Sequence, residues 1–159
     1  MQIEEQLANM GLRLPPPIKA PPGVKLPFSF VRVYGGQAYI SGHGPQNGDG
    51  SLAGPFGKVG VDLSVEQGYE AAQLVGLSML GSLKRELGDL DRVSAWLSAH
   101  GMVNCGPDFA QQPAVINGFS DLILALYGEE RGAHARSAVG MAALPFNMAV
   151  EIEATIAIN

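Results

Sequence analysis

A single cysteine, Cys105, is all the thiol chemistry the chain holds, and one thiol excludes an intrachain disulfide. Such a chain suits a reducing compartment, so a cytoplasmic location is expected. Charge is also scarce. Asp, Glu, Lys and Arg supply 16% of the residues, against roughly 25% in a typical soluble domain. The uncharged surface this implies could be buried between subunits. Ten basic residues face fifteen acidic ones, for a formal charge of −5, and Lys84-Arg85 is the only adjacent basic pair. Nucleic acid is therefore not an expected partner, because tracking phosphates needs clustered Lys and Arg. Long apolar runs are missing too. Gly, Lys, Glu or Gln interrupts each one before the ~20 residues that span a bilayer, so no membrane association is expected. At the N-terminus, Glu4 and Glu5 stand where an export signal needs positive charge.

Metal-ligand spacing is absent as well: His43, His100 and His134 lie far apart, and no HExxH or CxxC occurs. Cys105, beside Gly106-Pro107, reads as a structural thiol. The Gly42-His43-Gly44-Pro45 stretch matches neither GxGxxG nor the Lys-bearing phosphate loop, so neither a metal nor a nucleotide cofactor is expected.

What is present is one domain's worth of chain, 159 residues with 47% apolar composition. Ile3, Leu7 and Met10 predict a short amphipathic helix stopped by Gly11. From Leu14 to Pro27 six prolines deny both helix and central strand and predict an extended arm. Residues 1–27 are thus an N-terminal helix and arm, and 28–159 a single domain. Phe30–Tyr34 and Gln37–Ser41 predict a hairpin turned at Gly35-Gly36. Seven glycines between Gly42 and Gly60 predict a long loop, of a length that is often functional.

Ser64 and Gln67 form a capping box that starts a helix over Val65–Leu87. Its Gly68, Gly76 and Gly81 predict close approach to a sheet. A strand follows over Arg92–Val103, with Val93, Ala95, Leu97 and Ala99 on one face and Trp96 on the other. Val115, Phe119, Leu122, Ile123 and Leu126 predict a second long helix over Pro113–Tyr127, stopped by Gly128. Two further strands are expected at Arg136–Leu144 and Met148–Ile158. In the last, Val150, Ile152, Ala154, Ile156 and Ile158 alternate with Glu151, Glu153 and Thr155. The whole predicts an α+β two-layer sandwich, one sheet with two long helices on one face. The sheet's other face would be bare, and oligomerisation is the economical cover.

The region carrying chemistry is 134–158. An arginine that opens an apolar strand, Arg136, must place its guanidinium at an edge or cleft, where its planar fork suits a carboxylate. A salt bridge to Glu151 or Glu153 would satisfy it equally.

Ala135-Arg136-Ser137-Ala138-Val139, followed past Leu144-Pro145 by Val150-Glu151-Ile152-Glu153-Ala154, resembles the Rid/YjgF (endoribonuclease L-PSP, reactive-intermediate deaminase) superfamily. Tyr39-Ile40-Ser41-Gly42 fits its second strand. The arm, Gly57-Lys58-Val59-Gly60 and Val115-Ile116-Asn117-Gly118 resemble a longer, chorismate-mutase-like branch. The resemblance implies a mixed sheet, a homotrimer with an inner β-barrel, and a ligand cleft at each subunit interface. It also implies hydrolytic deamination of small carboxylated enamines or imines to 2-oxo acids and ammonia. Arg136 would grip the carboxylate and Glu151 would place or activate water, with Ala138, Phe28, Ser41, His43 and Asn117 around the ligand. Phe28 or its neighbour Ser29 stands where those deaminases carry tyrosine, and Ala138 where they often carry cysteine. His43 follows Ser41-Gly42 where glutamine is common, and a hydrogen-bonded structural role suits it as well. Binding of a small carboxylate without turnover is the alternative activity.

Overall fold

Strict alternation makes the last strand the keel of the sheet. In the computed structural model, which describes residues 2–20 and 22–159, that strand is β5 (Val150–Ile158), and Val150, Ile152, Ala154 and Ile156 are buried. Its neighbours are β2 (Gln37–His43) on one side and β3 (Val93–Asn104) on the other, both antiparallel to it. β1 (Val31–Tyr34) extends the sheet beyond β2, and β4 (Ala135–Met141) runs parallel to β3, giving the order β1-β2-β5-β3-β4. A parallel pair needs a crossover, and α3 (Gln112–Gly132) supplies it. With α2 (Val65–Leu87) it covers one face, so the mixed-sheet α+β sandwich expected from the sequence is what forms. The sheet's opposite face carries Tyr39, Glu153, Ser98 and Ser137 as exposed side chains.

The local signals act as read. Ser64 accepts from the Gln67 amide while Gln67 accepts from the Ser64 amide, closing the capping box of α2. Gly35 turns the β1–β2 hairpin at φ 62°. Gly128 breaks α3 at φ 72°, but one more turn follows to Gly132. The short helix α1 (Gln2–Asn9) buries Ile3 and Leu7 and is tied to α2 by a Glu4–Lys84 ion pair of 2.8 Å. After it the arm lies on α2, where Arg85 donates to the Pro15 carbonyl at 3.1 Å. Pro21, in the middle of the arm, lies outside the described residues.

Two expectations are corrected. Trp96 is in the core, 2% exposed, and Leu97 faces out, the reverse of simple alternation. The β3–β5 register shifts between Val93 and Ala95 and again between Trp96 and Ser98. Each irregularity adds a residue and turns the following side chains to the other face, which aims Trp96 at Phe119 and Tyr127. The glycines of α2 approach not the sheet but α3 and the arm. A Cβ at Gly76 would stand 2.8 Å from a Leu122 methyl, and one at Gly81 3.0 Å from the Pro15 carbonyl. Reciprocally, a Cβ at Gly118 of α3 would run into the Tyr69 carbonyl. Two helices pressed this closely need glycine at the crossing.

Candidate active site

Arg136 lies on β4, the strand that ends the sheet, and pairs with Ala99, an inward-facing residue of β3. Its side chain consequently rises on the helix side. There Nη1 donates to Asn117 Oδ1 at 2.8 Å and to Ser120 Oγ at 3.1 Å. Asn117 and Ser120 are three apart on α3 and so share one face of it. Both partners are neutral. Among the described residues no carboxylate pairs with Arg136, and its Nε and Nη2 have no protein acceptor. That free edge of the guanidinium is the fork a carboxylate takes in two parallel hydrogen bonds.

Ser120 is itself oriented. His134 lies 2.9 Å away through Nε2, and its Nδ1 lies 2.8 Å from the Gly132 carbonyl. A carbonyl can only accept, so Nδ1 carries the proton and Nε2 accepts the Ser120 hydroxyl. The serine oxygen is thereby turned to receive Arg136. Burial and the Arg136 charge push the His134 pKa below its ordinary value, which favours this neutral tautomer. Ser120 and His134 were not sequence candidates. The spacing from Asn117 is the signal that could have found the serine.

A salt bridge from Arg136 to Glu151 or Glu153 does not form. β3 separates β4 from β5, and both glutamates alternate with buried residues, which turns them to the face away from the helices. Glu151 and Arg136 are therefore not brought together within one chain.

Glu151 belongs to a second group. The β2–β5 register slips between Ile40 and His43, and this bulge sets Gly42 against the Glu151 carboxylate, where a Cβ would collide with it. Burial, and then the nearby Glu153, raise the Glu151 pKa above the usual carboxylate range. Ser41 donates through Oγ to the Ser29 carbonyl at 2.6 Å, pinning the end of the arm to β2. Phe28, exposed, stands edge-on to Phe30 at 5.4 Å and shares a cavity with Ser41 and Glu151.

His43 is elsewhere. It is 1% exposed on the helix side, with Nδ1 2.6 Å from the Ser41 carbonyl and Nε2 2.9 Å from Ser82 Oγ. Both ring nitrogens are occupied and burial depresses its pKa, so it stands as a core histidine rather than a ligand contact. Ala138 is half-buried on β4, two residues beyond Arg136 and on the same face. The candidate residues thus fall into two separate groups, two candidate half-sites. One is Arg136, Asn117 and Ala138 at the β4 edge, and the other is Phe28, Ser41 and Glu151 at the arm.

A five-stranded mixed sheet under two helices, with an arginine on its terminal strand, defines a YjgF-fold α+β protein. The chain belongs to the Rid/YjgF superfamily: the family model described as "YjgF/chorismate_mutase-like, putative endoribonuclease" matches residues 4–154. Protein TCP17 of Trypanosoma cruzi is 39% identical over 158 residues, covering 99% of this chain and 95% of that protein. The solved structure of Atu1372 from Agrobacterium tumefaciens, a protein of unknown function, is 36% identical with a TM-score of 0.87, covering 99% of this chain and 94% of that one. RidA from the Antarctic bacterium Psychrobacter sp. shares the fold at 23% identity and a TM-score of 0.54, over 92% and 99% of the two chains.

Proposed function

We propose that the protein hydrolyses small carboxylated enamines or imines to 2-oxo acids and ammonia, in a cleft completed between the subunits of a homotrimer. The observation that carries this is the free edge of Arg136, a guanidinium held by two neutral oxygens and left, among the described residues, without a counter-ion. A substrate carboxylate supplies that counter-ion and is held in a fixed orientation. An iminium carbon is already electrophilic. Water adds to it, one proton moves to nitrogen, the C–N bond breaks and ammonia leaves. A carboxyl with a raised pKa, as at Glu151, can carry that proton between water and nitrogen.

The two half-sites lie on different parts of one chain, and a neighbouring subunit that sets one β4 edge against another arm would complete the cleft. Ala138 and Asn117 would flank the carboxylate, with Phe28 and Ser41 beside the reacting carbon. Phe28 and Ala138 bring no hydroxyl or thiol, which favours as a second reading a protein that binds the same acids without turnover.

The test mixes the protein with a freshly generated 2-aminoacrylate-type intermediate and measures ammonia. Release that Arg136→Ala abolishes, with the oligomer intact by light scattering, supports the deaminase. Unchanged release in that variant removes it, and saturable 2-oxo acid binding without any turnover selects the binding protein.

A further inference from the structure

The cavity that holds Glu151 is larger and more apolar than a three-carbon acid requires. At about 440 Å³ it falls within the roughly 300–1,000 Å³ of small-ligand sites. Its polar lining comes from Ser41, Glu151 and, on the arm, Lys19. Most of the remaining lining is hydrocarbon. Ile18 and Leu26 of the arm line it together with Leu52, Phe146 and Met148.

Both groups of lining residues are held in place. The arm is tied at its start by Arg85 to the Pro15 carbonyl and by Gln46 to the Pro16 carbonyl, each at 3.1 Å, and at its end by Ser41 to the Ser29 carbonyl. Phe146 and Asn147 adopt left-handed backbone at φ 56° and 58°, a conformation that side chains other than glycine, Asn and Asp seldom take. Buried Asn104 enforces it, donating to Asn147 Oδ1 and to the Met148 carbonyl at 3.1 Å each. The Gly57 amide adds a third bond, to the Asn147 carbonyl at 3.0 Å. The outcome is a phenyl ring 75% exposed at the cavity's rim. An exposed aromatic ring at the rim of an apolar cavity is placed to contact what enters it.

We propose that this contact is the side chain of the substrate: the protein takes 2-imino or 2-oxo acids with a branched aliphatic or aromatic side chain, received between the arm and Phe146. Leu26 and Phe146 are then specificity-determining residues. The inference rests on the reading that the cleft takes such acids, and it adds which of them.

Calorimetric titration of the full chain with pyruvate, 4-methyl-2-oxopentanoate and phenylpyruvate tests it. The wild type is expected to bind the two larger acids about tenfold or more tighter than pyruvate, as burial of an apolar side chain provides. Leu26→Ala and Phe146→Gly should each erase most of that ratio while pyruvate affinity stays within about twofold. Phe146→Gly relieves the left-handed strain, so an unfolded variant is not a concern. Pyruvate binding as tightly as the larger acids, with Arg136→Ala weakening all three, overturns the inference and leaves the functional reading intact. A size preference that survives both wall variants also overturns it. Loss of the preference in the wall variants without any effect of Arg136→Ala upholds the inference and removes Arg136 as the anchor. No binding of any of the three acids overturns both.

Discussion

Arg136 Nη1 donates to Asn117 Oδ1 at 2.8 Å, across the gap between the sheet's terminal strand and α3. The bond turns the guanidinium so that its Nη2–Nε edge is the one left open. A hydrogen bond to a charged group is worth about 1.5–3 kcal/mol. Asn117→Ala should therefore weaken 2-oxo acid binding about tenfold, read by calorimetry. Arg136→Lys should fail to restore binding to an Arg136→Ala protein, because an ammonium has no planar fork.

Glu151→Gln separates chemistry from stability. Loss of the proton-carrying group should cut ammonia release by about a hundredfold or more while leaving 2-oxo acid binding in place. Stability should move the other way. A carboxyl whose folded pKa is raised disfavours the folded state as pH climbs from its unfolded value through its folded one. The variant should melt above the wild type at pH 7–8, and the gap should close below pH 4. A variant that melts no higher than wild type at pH 8 would contradict this account of a half-buried charge.

His43 makes the opposite prediction with acid. Its folded pKa lies below the ordinary 6.5, so the stability it confers is complete above that value and is lost as pH falls toward the depressed one. Urea midpoints should decline from about pH 6.5 downward. His134 shifts in the same direction, so His43→Gln should flatten that decline in part and not wholly.

Gly118→Ala tests the helix crossing. The added methyl meets the Tyr69 backbone carbonyl, which cannot rotate away, so a loss of about 1–3 kcal/mol or more is expected in denaturant titrations. Gly48→Ala, where nothing lies within 4 Å, serves as the control and should stay within about 0.5 kcal/mol.

The elements were legible wherever one local rule governs them. The Ser64–Gln67 box, the Gly35 turn and the alternation of β5 depend on nearest neighbours along the chain, and each forms where its pattern says. β3 failed at Trp96 because a bulge is a property of two strands: only the partner's register shows where a residue has been added. The glycines of α2 mark close approach, yet the surface they approach belongs to α3 and the arm and not to the sheet. At the site, Arg136 stood out as a charge in an apolar strand. Ser120 and His134 did not, since their roles come from facing Arg136 across a layer.

The sequence by itself determined the element order, the two-layer class and the place of an arginine at the opening of an apolar strand, all of which follow from periodicity and turn chemistry. Only the tertiary structure decided that β5 enters between β2 and β3. That one insertion sends Arg136 and Glu151 to different parts of the sheet, closes off a salt bridge between them and leaves the guanidinium with an open edge. Strand order is set by contacts far apart in the chain, and no local pattern carries it.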